Sequence, residues 1–184
     1  MLNSLLFFII TFIWIAEFIL YRNRGFTEEE TKEKRSYPFI LFVFSSTIVS
    51  AVLMKEWGIF YWENTYIQLI GLMLYALGVL LRYWGIGHLR QQFTRHVSVR
   101  ISDELVSSGP YRRLRHPLYT GLLLIIIGIC LSLGNPVLAI VGGAAGAFSI
   151  IQRIRIEERM LIKAYGEEYR SWAKKRYRLF PPIY

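Results

Sequence analysis

Side chains that could do chemistry concentrate in two segments, residues 89–116 and residues 153–184. In the first, His116 directly precedes Pro117, a residue suited to the first turn of a helix. His116 would then lie at a helix mouth, where free N–H groups and the positive dipole end favour an anion such as a carboxylate. Arg115 and Tyr119 would complete the pocket. Alternatively, the arginines here only follow the positive-inside rule and His116 caps the helix.

The second polar segment carries charged residues at helical spacing. The last long helix is expected to continue beyond the bilayer and to end at Gly166, a suitable C-cap. Arg155 lies three residues before Glu158, and Glu157 lies four residues after Arg153. Charged residues beside an apolar helix face indicate a partly buried site at the membrane edge. The alternative is a set of surface ion pairs, each worth about 0.3 to 0.5 kcal/mol.

Other chemistries are disfavoured by residue type and spacing. The histidines His88, His96 and His116 and the single Cys130 provide no pair at metal-ligand spacing on one helix face, so no metal is expected. We find no Ser-His-Asp triad and no Walker loop in the sequence. A net charge of +9 could indicate nucleic acid, but the apolar runs between the basic residues are too long for a soluble module. We therefore expect no nucleic-acid partner and assign the charge to a membrane surface.

The elements that position these residues are expected to be membrane helices. The chain has 184 residues, of which 54% are hydrophobic and only 19% charged, too apolar for an ordinary soluble domain. Runs of 16 to 22 residues, at about 1.5 Å per residue, reach or approach the thickness of the hydrocarbon core. The predicted spans are residues 2–20, about 38–54, about 66–87, 117–133 and 136–151. The fold class is therefore all-α, a polytopic integral membrane protein of about five transmembrane helices.

Lysine and arginine counts predict the orientation of these helices. The loop after the first span is basic, with Arg22, Arg24, Lys32, Lys34 and Arg35, whereas the segment 55–65 has one Lys. The positive-inside rule then places the first loop in the cytoplasm and the N-terminus outside. More arginines precede the fourth span, and basic residues also follow residue 152. Both polar segments are therefore expected to face the cytoplasm.

The motifs in these segments resemble those of the isoprenylcysteine carboxyl methyltransferases and the related membrane phospholipid methyltransferases. The resemblance runs in order through residues 70–184 and rests on GVLLRYW (78–84), LVSSGPY (105–111), RHPLYTG (115–121), RIEERML (155–161) and YGEEY (165–169). It implies one methyltransferase domain, residues 1–184, in which residues 1–65 are two N-terminal spans and residues 66–184 the family core.

The resemblance implies S-adenosylmethionine as cofactor, held in a cytoplasmic pocket formed by the loop before the fourth helix and the C-terminal helix. Leu105, Val106, Gly109 and Tyr111 would line the adenine. The cofactor carboxylate suits Arg115, His116, Pro117 and Tyr119, and the ribose hydroxyls and ammonium suit Glu157 or Glu158. Arg155 and Glu158 are the predicted catalytic residues, with Arg155 orienting an anionic acceptor, or holding the cofactor if the acceptor is neutral. The predicted site residues are therefore Leu105, Val106, Gly109, Tyr111, Arg115, His116, Pro117, Tyr119, Arg155, Glu157 and Glu158.

The expected acceptor is a lipophilic small molecule or lipid that reaches the site from the bilayer, with methylation on oxygen favoured. Its headgroup would pass near residues 118–122, and its identity stays open among prenylcysteine, phospholipid amine and phenolic or pyrone lipids. The membrane would be the cell inner membrane, or the endoplasmic reticulum in a eukaryote. Two other functions are considered, an NADPH-dependent sterol-type reductase and a small transporter or scaffold. The transporter would need a charge near mid-bilayer, whereas the charges here lie at the span ends.

Overall fold

The computed structural model of the chain describes residues 2–21, 36–93 and 104–181. Within those ranges the chain forms six α-helices joined by turns, with two short 3₁₀ turns at Arg90–Gln92 and Gly109–Arg112. The helices are α1 Leu2–Leu20, α2 Ser36–Glu56, α3 Thr65–Leu89, α4 Pro117–Ser132, α5 Pro136–Tyr165 and α6 Glu167–Lys174. The basic loop predicted to be cytoplasmic, with Arg22, Arg24, Lys32, Lys34 and Arg35, lies outside the described residues, as does His96.

Four of these helices, α1, α2, α3 and α5, are long and apolar enough to cross a membrane. The fifth apolar helix, α4, has 16 residues and lies against α3 and α5. The predicted all-α membrane architecture of about five helices is confirmed. As predicted, α5 continues beyond its apolar run to Tyr165 and has Gly166 as its C-cap.

Helix starts follow the capping residues of the sequence. The Asn64 side chain accepts hydrogen bonds from the backbone N–H groups of Tyr66 and Ile67 at 3.0 and 3.1 Å, which satisfies two donors at the start of α3. Asn135 caps α5 in the same way, accepting from the Leu138 N–H at 2.9 Å. Pro117 occupies the first turn of α4, where its missing N–H costs nothing.

The closest helix packing joins α3 to α4 through glycines seven residues apart. A Cβ placed on Gly78 would lie 2.6 Å from the Gly121 carbonyl oxygen, so the two backbones touch directly. The same close approach occurs at Gly71 and Gly128. Between α4 and α5, Gly143 faces Ile127, with a Cβ position 3.0 Å from the Ile127 side chain. Small residues at helix crossings are the usual way in which membrane helices gain van der Waals contact.

The chain after α6 returns to the start of α4 and fixes it. The Arg115 N–H donates to the Tyr177 carbonyl at 2.7 Å, and the Tyr177 N–H donates to the Arg113 carbonyl at 2.9 Å. The Thr120 hydroxyl donates to the Leu179 carbonyl at 2.8 Å. These bonds hold the segment before α4 against the segment that follows α6.

Candidate active site

His116 lies at the N-terminus of α4 between two carboxylates of α5. Its Nδ1 is 3.7 Å from Glu157 Oε1, and its Nε2 is 3.5 Å from Glu158 Oε1. Burial opposes the charged form of the ring, but hydrogen bonds to both glutamates outweigh burial and raise the pKa of His116 above its usual value. The ring thus has a carboxylate on each side, which favours its protonated form and fixes its orientation.

Glu158 is the anchor of the polar cluster. One of its oxygens accepts from Arg115 Nη1 at 3.0 Å and the other from Arg178 Nη2 at 2.8 Å. Arg115 also donates through Nε to the carbonyl oxygens of Ala173 and Arg176, so it ties α5 to the C-terminal segment. Glu158 is buried and fully engaged, and it does not line the neighbouring cavity. Its role in the structure is to hold the residues that do.

Glu157, Tyr119 and Arg153 form a second chain of contacts that faces the cavity. The Tyr119 hydroxyl donates to Glu157 Oε2 at 2.7 Å and accepts from Arg153 Nε at 2.8 Å. Arg153 is 3% exposed, so its guanidinium is desolvated by protein. Charge-assisted hydrogen bonds of this length hold side chains in one orientation. The three residues therefore present a fixed carboxylate and a fixed guanidinium side by side.

A cavity of about 320 Å³ lies over these residues. At its polar end it is lined by Arg115, His116, Tyr119, Arg153 and Glu157, and the wall opposite is apolar and aromatic. That wall consists of Leu105, Val106, Tyr111, Leu161, Tyr165, Tyr169 and Trp172. The rings of Tyr169 and Trp172 are stacked with centroids 5.7 Å apart. The Tyr169 hydroxyl is buried and makes no hydrogen bond of ordinary geometry within the described residues, and burial raises its pKa.

The same cavity continues into an apolar arm between α1 and α2. Side chains of both helices line this arm, together with Leu118 and Leu122 of α4; they are Trp14, Phe18, Ile40, Leu41, Phe44, Ser45 and Ile48. Phe18 and Leu41 are 41% and 43% exposed, so the arm reaches the molecular surface between the two helices. In a bilayer that surface faces hydrocarbon. One cavity therefore connects a polar cluster with the lipid.

Seven of the predicted site residues line the cavity: Leu105, Val106, Tyr111, Arg115, His116, Tyr119 and Glu157. Three others lie behind it. Pro117 is buried in the first turn of α4, Glu158 holds the cluster, and Gly109, at a φ of +55°, leaves room for the His88 ring. The choice between Glu157 and Glu158, which the sequence left open, falls on Glu157 for contact with the cavity.

Arg155 is the one predicted site residue that the structure places away from the others. Its side chain is exposed, because α-helical residues two positions apart point about 200° from each other, and Arg153 and Glu157 occupy the cavity face. In the sequence, Arg153 stands out only as a partner of Glu157, four residues later. That spacing was the one signal of its place in the site. The α1 and α2 residues of the apolar arm had no signal beyond being apolar.

Comparisons with known proteins identify the family of this chain. The family model described as phospholipid methyltransferase matches residues 66–168, more than half of the chain. The chain is 28% identical over 121 residues to a probable protein-S-isoprenylcysteine O-methyltransferase of Oryza sativa subsp. indica, covering 61% of this chain and 60% of that protein. It is 35% identical over 124 residues to the cobalt-zinc-cadmium resistance protein CzcN of Cupriavidus metallidurans, covering 66% of this chain and 54% of the relative.

A solved structure has the same fold. The eukaryotic intramembrane Ras methyltransferase ICMT superposes with a TM-score of 0.68 at 26% identity, covering 79% of this chain and 53% of that one. In this chain too, helices long and apolar enough to cross a membrane carry a polar cluster at one end. The chain belongs to the phospholipid methyltransferase family, and the resemblance predicted from the motifs is confirmed. The chain spans about 60% of the length of the rice relative and about half of ICMT.

Proposed function

We propose that this chain is an S-adenosylmethionine-dependent methyltransferase that methylates an ionised oxygen of a lipophilic acceptor at the cytoplasmic face of a membrane. One observation carries the proposal: a single cavity joins the polar cluster of Arg153, His116 and Glu157 to an apolar arm that opens between α1 and α2. A polar cofactor arriving from water and an acceptor whose tail stays in lipid both need such a cavity. The rice relative and ICMT, which are named as methyltransferases, support the reaction type.

The residues at the polar end fit the chemistry of this cofactor. Its carboxylate matches the protonated His116 ring and the first turn of α4, and its ammonium matches Glu157. Its adenosine matches the wall with Leu105, Tyr169 and the stacked Trp172, where the unbonded Tyr169 hydroxyl offers a partner for a polar group. When bound, S-adenosylmethionine supplies the methyl group as an electrophile.

The chain's own residues orient the acceptor and exclude water. Arg153, which lines the cavity and donates to the Tyr119 hydroxyl, binds the acceptor oxygen in its anionic form, a role that the sequence had suggested for Arg155. Tyr119 and Glu157 hold the guanidinium in place. Methyl transfer depends on in-line positioning, which can contribute several powers of ten to a rate. Leu118 and Leu122 shield the reacting oxygen from water.

The acceptor class to test first is the carboxylate of a prenylated cysteine, the group named in the rice relative. Such a molecule has an ionised oxygen for Arg153 and an apolar chain for the arm between α1 and α2. Leaving the chain in lipid avoids about 0.8 kcal/mol for each CH₂ that would otherwise meet water.

Calorimetry with S-adenosylhomocysteine on the purified protein tests the cofactor site. His116→Ala and Glu157→Gln should weaken binding by about tenfold or more, since each removes a charged partner of the ligand. Glu63→Gln, an exposed carboxylate on the far side of the bundle, should leave it unchanged. NADPH, the cofactor of the reductase alternative, should not bind. Wild-type protein that binds NADPH and not S-adenosylhomocysteine would overturn the proposal.

Methyl transfer itself is tested with methyl-labelled S-adenosylmethionine and N-acetyl-S-farnesylcysteine in vesicles that contain the protein. The expected product is the labelled methyl ester, detected by mass spectrometry and absent with Arg153→Gln. Mass spectrometry of native membrane lipids from the same incubation reports any other acceptor. Label found only on nitrogen would contradict the assignment of oxygen as the methylated atom.

A further inference from the structure

Glu17 and Arg82 form an ion pair inside the membrane bundle that the proposed reaction does not use. One edge of the guanidinium engages the carboxylate through two N–H groups: Arg82 Nε donates to Glu17 Oε2 at 2.7 Å, and Nη2 donates to Oε1. Glu17 is 0% exposed and Arg82 is 6% exposed. A bidentate pair of this kind fixes both distance and angle between α1 and α3.

The pair is the buried polar attachment of α1, whose other contacts with α3 include the packing of Phe7 and Trp14 against Tyr75. Glu17 is the one buried residue of this helix, which is described in full from Leu2 to Leu20. The remaining polar links to α3 are the Tyr83 hydroxyl to the Ile13 carbonyl at 2.7 Å and the Tyr75 hydroxyl to Thr11 at 3.1 Å. Burial of apolar surface does little to hold a helix whose surroundings are lipid tails, so polar contacts and packing decide its position.

Arg82 also reaches α4. Its Nη1 donates to the Leu118 carbonyl at 3.2 Å, in the helical turn that follows His116. The aliphatic stem crosses α4 at Gly121, where a Cβ would lie 2.6 Å from Arg82 Cγ. One side chain therefore contacts α1 and the first turn of α4 together. It lines the cavity as well.

The two ends of the cavity depend on these two elements. α1 contributes Trp14 and Phe18 to the apolar arm, and the start of α4 contributes His116 and Tyr119 to the polar end. We propose that Arg82 is a positioning residue for methyl transfer, which holds α1 through Glu17 and the start of α4 through Leu118, so that acceptor and cofactor meet in line. The inference rests on the proposed function for its catalytic consequence.

Two measurements test this role, one of them independent of activity. With Cys130→Ser as background, spin labels at the lipid-exposed Phe12 of α1 and Phe148 of α5 report the distance between these helices. Glu17→Gln and Arg82→Gln should broaden the distance distribution, and the exchange Glu17→Arg with Arg82→Glu should narrow it again. Glu63→Gln is the matched control and should leave it unchanged. A distribution unaffected by Glu17→Gln and Arg82→Gln would overturn the inference.

The second measurement separates the acceptor from the cofactor. Glu17→Gln releases α1 but leaves the contact of Arg82 with Leu118 of α4, so it should raise the KM for N-acetyl-S-farnesylcysteine by about tenfold while the Kd for S-adenosylhomocysteine changes by less than about twofold. Equal losses in both constants would contradict the inference, as would an unchanged KM. Wild-type protein without methyl transfer would refute the proposed function, and the spin-label distances would still decide the position of α1.

Discussion

At the scale of single residues, the site is a set of side chains fixed before any ligand arrives. Arg153 is bonded to Tyr119, Tyr119 to Glu157, and Glu157 lies beside a His116 ring held on its other side by Glu158. Each charge is buried with a partner, which is the condition under which buried charges are tolerated. Positioning residues gain most when they need no reorganisation during the reaction.

Two arginines of α5 give a matched pair of variants. Arg153→Lys should lower kcat/KM by about a hundredfold, because a lysine cannot reproduce the planar guanidinium that contacts Tyr119 and the proposed acceptor. Arg155→Lys, two residues away and exposed, should leave kcat/KM within about twofold. Steady-state kinetics with methyl-labelled S-adenosylmethionine measures both. The opposite ranking would restore Arg155 as the acceptor-binding residue.

The residues of the site were predictable to different degrees. His116 and Glu157 follow from the motif and from the helix start at Pro117, and the structure places both at the cavity. The sequence does not show whether Arg153 or Arg155 faces the cavity, because it does not reveal which side of α5 turns toward the bundle. The inward side of α5 is set by tertiary packing. Ile150 and Ile154 are fully buried, and Arg153 lies on the same side of the helix.

At the scale of elements, the α3–α4 contact determines where the start of α4 lies. The glycines Gly71, Gly78, Gly121 and Gly128 let the two backbones touch, and Arg82 of α3 crosses α4 at the turn that bears the site. The short α4 has its position set by this contact and by the C-terminal segment. A shift of α4 would move His116 and Tyr119 together.

Two glycines of α3 test this contact. Gly78→Ala should destabilise the protein by about 1 to 3 kcal/mol, because its Cβ would overlap the α4 backbone and Ile125. Gly87→Ala, in the same helix with nothing within 4 Å of the added Cβ, should be neutral or stabilise by about 0.4 to 1 kcal/mol. Thermal unfolding in one detergent compares them. Equal effects of the two variants would show that the α3–α4 contact is not close-packed.

The helices were largely predictable from the sequence, but the pairs of helices that pack against each other were not. The long apolar runs predict the spans. The starts of the helices are indicated by Asn64, Asn135, Pro117 and Pro136. The heptad spacing of Gly71, Gly78 and Gly85 was present in the sequence, but spacing alone does not name the partner helix. The sequence could not show that α1 and α2 line the cavity, because residues facing a cavity and residues facing lipid are of the same apolar types.

At the scale of the whole molecule, orientation decides whether the proposed reaction can occur. The polar end of the cavity lies near Leu89, at the C-terminal end of α3. Thr65 lies at the opposite end of that helix. A helix of 25 residues, at about 1.5 Å per residue, separates these ends by roughly the thickness of a bilayer. S-adenosylmethionine is made in the cytoplasm, so the proposed function requires the Leu89 end to be there.

Cysteine labelling in intact cells tests this orientation. In a Cys130→Ser background, Glu63→Cys, just before α3, should react with a membrane-impermeant maleimide from outside. Ser108→Cys, in the loop before α4, should react only after permeabilisation. Both residues are exposed in the protein, so accessibility depends on the side of the membrane rather than on burial. Labelling of Ser108→Cys from outside would place the polar end away from its cofactor, and methyl transfer at that cavity would then be ruled out.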